Sequence, residues 1–536
     1  MIVAAIGLTS LIAQSVSHRP ALLKGNIEVP HERNIQWNKH SMFADTIYQD
    51  WANKSLDPNG GKVNNPRIWL AKLLLKKDVD EVNKIILKTI PWGVSGSSWA
   101  MNKNGDYDFT LAVLTPILYL FGDKPDILYP ETAKHLLDVL LIEEGSKFRY
   151  KAPKTMDIVD ETENHLLMTE GSRYLKNRWE QLHGNKDSMY DNVANGMEEK
   201  LSALLIQMTG AGMYEFNSLP YCGYTITGLL NLEAFASEKI RTEARDVLDY
   251  MNWTYALGSY QLKHFAPMRR RYDKVGFQEL TTDYHSVFMK AWLGYLPEGN
   301  PDHNIHGADA HAIMGSCMPY RPADKVVALL KNKGEGYFMK IGHGEKTCPE
   351  IYSAGKNYLI SSGGSNQGTV TEIVARPTIL FLNDNAINVS QTFHVAGPGT
   401  DFMKWNNTGV YRNFACAAGP VFIPEGYQPV AENDGWKIYQ CPAHVFVAVH
   451  SVDEIGIMVV AENINPKQFA KKLLEANPDQ KKLEKQFQFP GGSKINYDVN
   501  VSKDKWVIES VDDKPADRNF WKWALIEGDM KATSIK

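Results

Sequence analysis

Residues 160–182 read DETENHLLMTEGSRYLKNRWEQL, a polar start followed by apolar positions at helical spacing. Asp160 stands where an N-cap belongs and Glu163 three positions later. In that pattern two side chains satisfy the first backbone N–H groups of a helix. Asn164 and His165 then fall in the first turns of the predicted helix. The same design recurs along the chain. Asp106-Tyr107-Asp108 precedes an apolar run from Phe109, Asn217-Ser218-Leu219-Pro220-Tyr221 precedes one from Gly223, and Asp283-Tyr284-His285 opens one that reaches Tyr295.

Between these entrances the helical periods come in pairs. Residues 67–76 and 79–89 form one predicted hairpin, 109–121 and 132–143 a second, 161–182 and 193–209 a third, 223–237 and 240–257 a fourth; 282–295 starts a fifth. The connections carry Gly, Pro, Asn and Asp. Recurrent helical pairs without a sequence repeat predict an incomplete (α/α) toroid over residues 26–325. Beyond a link at residues 319–333 the period becomes two. Short runs at 357–361, 378–382, 421–423, 444–450 and 455–460 predict an antiparallel β-sandwich over residues 335–536, with a charged helix or loop inserted at 466–485. A chain of 536 residues is long enough for two such cores. Residues 1–17 are almost free of charge and end in small residues, so residues 1–25 are expected to hold an export signal or its remnant. That places the protein outside the cell or in a periplasm. No later stretch is apolar for long enough to span a membrane.

Composition narrows the partners. The 58 Lys+Arg against 62 Asp+Glu give a net charge of −4, with no long basic run, which argues against nucleic acid. Five widely spaced cysteines without a CxxC give no zinc framework and no disulfide scaffold. The 13 Trp and 24 Tyr serve packing first, and an indole can also cover the apolar face of a sugar ring. The cluster His303, His306, Asp309 and His311 matches no zinc spacing, and residues 362–365 read as a turn rather than a phosphate loop. No cofactor and no metal are called for. Asn53, Asn252, Asn388, Asn406 and Asn500 lie in N-x-S/T contexts, which matter only in a glycosylating host.

If inner and outer helices alternate around a ring, all inner helices run one way. The four polar entrances then meet at one rim, where the positive ends of the helix dipoles favour an anion. An amide, an imidazole and a phenol at such a rim are what a uronate needs to lose its C5 proton and break at O4. Asn164 donates to the carboxylate. His165, kept neutral by the helix N-terminus, takes the proton. Tyr221, 56 residues after His165, reaches the leaving oxygen. Arg269 or Arg271, from the basic turn 269–271, can pair with a carboxylate or sulfate, and Asn217, Tyr284 and His285 stand at the same rim.

Adjacent Asn-His at a helix start, a Tyr fifty-odd residues later, and a helical toroid followed by a β-sandwich resemble the alginate lyase and heparinase II/III group of polysaccharide lyases. The resemblance covers most of the chain in architecture and a few residues in motif. It implies that Asn164 binds the uronate carboxylate and that His165 and Tyr221 share the base and acid roles. In that group a β-domain histidine also overhangs the cleft, within a stretch holding two nearby histidines and an aspartate. This chain lacks the stretch, and His394 is the nearest counterpart, with His343 behind it. The expected partner is an acidic polysaccharide. Two other classes remain open: a glycoside hydrolase drawing paired carboxylates from Asp106, Asp108, Glu161, Glu163 and Glu215, and a non-catalytic glycan-binding protein.

Overall fold

The computed structural model describes residues 25–35, 42–57, 61–91, 106–153, 156–158, 160–219, 221–269, 278–281, 283–293, 309–345, 347–363, 373–397, 409–501 and 505–531. The expected export signal, Arg271 and the pair His303/His306 lie outside these residues, apart from Gly25 at the signal's end. The chain is mixed: helices up to Lys331, then mostly antiparallel sheets from Tyr337 onward.

Two kinds of helix alternate. In Asp108–Phe121, Glu163–Leu182 and Cys222–Phe235 nearly every residue is buried. Tyr284–Leu293 is buried from its second residue onward. Between them lie helices with one wet face, such as Val79–Lys88, Met197–Ala211 and Glu238–Gly258. A helix apolar all round belongs inside, and one with a single stripe belongs outside. The buried Glu163–Leu182 helix packs between Asp108–Phe121 and Cys222–Phe235. Two of its buried cations are paired internally: Arg173 donates to Glu170 (2.9 Å) and Glu143, and Lys176 donates to the carbonyl of Leu141 (2.8 Å). The second member of the 109–143 hairpin is shorter than its pattern predicts. It runs Pro130–His135, closes in a π turn at Leu136–Leu140 and stops there.

The helix start at residue 160 is also displaced. Thr162 occupies the N-cap position, and Asp160 instead pairs with Lys151 across a β-bridge. Glu163 turns outward from its helix and accepts the backbone N–H of Tyr214, tying two of the polar stretches together.

The largest sheet has seven strands, in the order Val421–Phe422, His394–Val395, Arg376–Leu382, Tyr358–Gly363, Glu350–Ala354, Tyr337–Ile341, Glu527–Asp529. Every residue of Arg376–Leu382 is buried, and alternation explains why. Leu359, Ile379 and Phe381 point into the core shared with the helices, whereas Tyr358, Ile360, Leu380 and Leu382 point into a second core. That second core includes Phe414, Val447 and Val459 of a six-stranded sheet. The order of layers is therefore helices, seven-stranded sheet, six-stranded sheet. The predicted insertion at 466–485 contains the helix Pro466–Ala476, capped by Asn465. Among the described residues no helix is long and apolar enough to cross a membrane. All five cysteines are free thiols.

Helices and sheet are stitched beside the polar entrances. Met268–Arg269 pairs with Ile373–Val374, the Arg269 N–H donates to the carbonyl of Phe216 (3.1 Å), and Glu279 bridges to Asn388.

Candidate active site

The entrances of four of the buried helices, Asp108–Phe121, Glu163–Leu182, Cys222–Phe235 and Tyr284–Leu293, meet. Phe109, Ala112, Met168 and Tyr224 form a small buried cluster, with Tyr221, Tyr284 and Val63 packed on its margin. Each of the four helices, or the residue just before it, supplies a member. The rings of His165 and Tyr221 stand 6.4 Å apart, and Phe109 meets His165 edge-on at 5.8 Å.

His165 is held from behind. Its Nδ1 hydrogen-bonds to Oδ2 of Asp108, which is fully buried, and the other Asp108 oxygen accepts the N–H of Phe109 (2.9 Å). A carboxylate that accepts here would place the ring proton on Nδ1. Spacing along the chain does not reveal this pair. Its members are 57 residues apart on two helices, and only knowing that these helices are neighbours brings them together. Asp106 completes a group of three. Its carboxylate and the facing atoms of Asp108 and His165 lie within 4.8 Å of one another. Two carboxylates and an imidazole are a donor set for a divalent ion, but Asp108 and His165 are in direct hydrogen-bond contact and close the space between them.

Asn164 is fully buried. Its Oδ1 accepts from the Thr162 hydroxyl (2.6 Å), and among the described residues its Nδ2 has no hydrogen-bond partner. Tyr221 is half-buried and ends the turn at Ser218, whose carbonyl accepts its N–H (3.1 Å). Asn217 is in the left-handed region (φ 50°), and its amide donates to the Pro267 carbonyl (3.1 Å) and to Glu350 Oε1 (2.8 Å). Both its N–H groups thus hold chain segments together. Glu350 also accepts from His343 (2.5 Å) and Tyr352, and the His343 ring stacks on Phe216 at 3.9 Å. Burial opposes ionisation of Glu350, yet pairing with His343 and Tyr352 outweighs it and holds the carboxyl below its ordinary range.

Of the two histidines beyond residue 335 considered from sequence, His343 is therefore the one joined to the Asn217 turn. His394 sits on a short strand of the seven-stranded sheet, stacked on Phe422 at 4.6 Å, with Nδ1 3.0 Å from the Thr392 carbonyl. The Arg269 guanidinium lies over the Tyr214 ring at 4.2 Å.

A cavity opens next to this cluster, lined by Asn217, Cys222, Asp283, Tyr284, His285 and Arg376 among others. Three of the residues predicted for substrate binding, Asn217, Tyr284 and His285, face it; Asn164, His165 and Tyr221 do not line it. Burial pushes His285 down to about 3, so its ring is neutral; Nε2 donates to Asn252 Oδ1 (2.8 Å). Asn252 is itself buried inside its helix, where no glycan can be carried. Asp283 is partly buried, which by itself raises its carboxyl, but its contact with His264 (2.8 Å) outweighs this and holds it below its ordinary value.

Arg67, which in sequence marks no more than the start of a helical period, has a functional setting. It is fully buried, donates to the carbonyls of Ala310 (3.1 Å) and Val63 (2.8 Å), and its Nη2 has no partner among the described residues. Its guanidinium lies 5.8 Å from the Tyr224 ring, and Tyr224 in turn packs on His311 at 4.7 Å. Burial, with Arg67 adding to it, holds His311 well below its ordinary value.

In comparison with known proteins, the chain matches no family model and no curated protein.

Proposed function

We propose that this protein is a polysaccharide lyase that cleaves a uronic-acid polysaccharide by β-elimination, exported to a periplasm or the cell exterior. We also propose that its helical part is an (α/α) toroid and its sheet part a β-sandwich. The observation that carries the reading is the approach of His165 and Tyr221, with ring centroids 6.4 Å apart, beside an amide on Asn164 whose donors are unused. In the proposed reaction the Asn164 Nδ2 donates to the uronate carboxylate as charge builds into it. His165 removes the C5 proton, the C5–H electron pair becomes the C4–C5 double bond, and the C4–O bond breaks as Tyr221 protonates the leaving oxygen. No water is consumed. Asn164 and His165 are covered in this structure, so the substrate must displace the groups above them.

The hydrolase alternative is weakened by the use already made of its carboxylates. Asp108 holds His165 and Glu163 holds the Tyr214 N–H. The test is a panel of acidic polysaccharides followed by ultraviolet absorbance of the C4–C5 double bond. At least one should give absorbing products, and His165→Ala and Tyr221→Phe should abolish the signal in folded protein. Saturated products would establish hydrolysis instead, and binding without turnover a glycan-binding protein. Full activity in both variants would remove His165 and Tyr221 from the reaction.

A further inference from the structure

We infer that Asp108 is the positioning residue of the site: it fixes the tautomer of His165 and stabilises the imidazolium formed when that ring takes a proton. The inference rests on the elimination reading for its consequence and on geometry for its substance. Asp108 is fully buried at the first turn of its helix, where the backbone dipole favours a negative charge. One oxygen is anchored by the Phe109 N–H (2.9 Å), which aims the other at His165 Nδ1. A neutral imidazole has one N–H. With that proton on Nδ1, the lone pair is on Nε2, the only nitrogen that can then act as a base. As Nε2 accepts the C5 proton the ring becomes a cation in hydrogen-bond contact with a buried carboxylate. An ion pair formed in a dry site is worth more than the same pair in water. Phe109, edge-on to the imidazole, closes one side and limits rotation about the Asp108 bond. The helix N-terminus alone disfavours the imidazolium, and Asp108 supplies the opposing term that a base needs.

The pair is read directly by nitrogen NMR of protein carrying 15N-histidine, with the His165→Ala spectrum identifying the His165 resonances among the 15 histidines. Wild-type protein should show Nδ1 protonated and Nε2 unprotonated near neutral pH. In Asp108→Asn the new amide can donate to Nδ1 and drive the proton onto Nε2. The rate constant kcat on the cleaved polysaccharide should then fall on the order of 10²–10⁴-fold, with KM little changed. Asp108→Glu, which restores the acceptor, should recover the wild-type tautomer and part of kcat. A wild-type ring protonated on Nε2 alone, or on both nitrogens from about pH 6 to 9, overturns the inference. So does selective loss of the His165 signal on adding one equivalent of Mn²⁺, which would make Asp106, Asp108 and His165 a metal site. The tautomer of the wild-type protein is read without turnover, and the one variant it needs, His165→Ala, serves only to identify the resonances. If no polysaccharide is cleaved, the proposed function fails while the Asp108–His165 pair is still decided.

Discussion

Asn164 carries a cost that nothing among the described residues offsets. A buried amide with unused donors is unfavourable by about 1–3 kcal/mol, a penalty that a ligand carboxylate would remove. Asn164→Ala should therefore leave stability nearly unchanged, since the one side-chain bond it loses among the described residues is that from Thr162, about 1 kcal/mol. Catalysis should drop on the order of 10²–10³-fold, as when one preorganised donor to a developing anion is removed. Chemical denaturation and initial rates on the same preparation separate the two effects. A loss of several kcal/mol with unchanged kcat would make Asn164 a packing residue. At this scale the sequence is readable where a residue's role depends on its own helix. Asn164, His165 and Tyr221 announce themselves as polar groups at helix starts. Asp108 and Arg67 do not reveal their partners, because those partners lie on other helices and pairing is a property of packing. Asn217 shows a third case: polar and near Tyr221, its amide turns away to Glu350 on the seven-stranded sheet.

Helices are legible as elements because periodicity records burial, and their ends are less so because caps compete. Asp160 has the chemistry of an N-cap, but Lys151 draws it into a bridge and Thr162 takes the position. Contact distances between the buried helices cannot be read from periodicity, and two glycines measure them. A Cβ at Gly228 would lie 2.8 Å from Leu167 Cβ and 3.2 Å from its carbonyl carbon, so the Cys222–Phe235 and Glu163–Leu182 helices touch there. A Cβ at Gly171, on the facing helix, would meet Leu232 at 3.8 Å, an ordinary contact. The two substitutions should have opposite signs. Gly171→Ala should stabilise by about 0.5–1 kcal/mol, the helix-propensity gain. Gly228→Ala should destabilise by about 1–3 kcal/mol as the helices are forced apart. Urea midpoints of the two variants test this, and equal shifts of the same sign would contradict the packing.

Over the whole molecule, the change from period 3.6 to period 2 marks where helices give way to sheets, and the last helix before the sheets does end at Lys331. The layering is hidden. Arg376–Leu382 is buried on both faces because one side meets helices and the other a second sheet, and a continuous apolar run does not say what covers it. The join itself depends on Lys333. It is 3% exposed, and its Nζ donates to the carbonyl of Ala256 (2.7 Å) in the last turn of Glu238–Gly258, beside the Tyr337 hydroxyl on Leu257 (2.6 Å). A cation suits a helix C-terminus, but burial pushes this ammonium down to about 7 from its ordinary 10.5. Between those two pH values the unfolded chain binds a proton that the folded protein gives up, so stability rises with pH across that window. Below about pH 7 the full penalty applies; above about 10.5 it is gone. Lys333→Met removes the charge and keeps the length. Near pH 7 it should be more stable than wild type by a few kcal/mol, the order of magnitude of such a shift less one hydrogen bond. The advantage should shrink as pH approaches 10. Urea unfolding of both proteins at the two pH values reads the difference. An advantage of equal size at both would mean that Lys333 is not buried as a cation and that the join is wet.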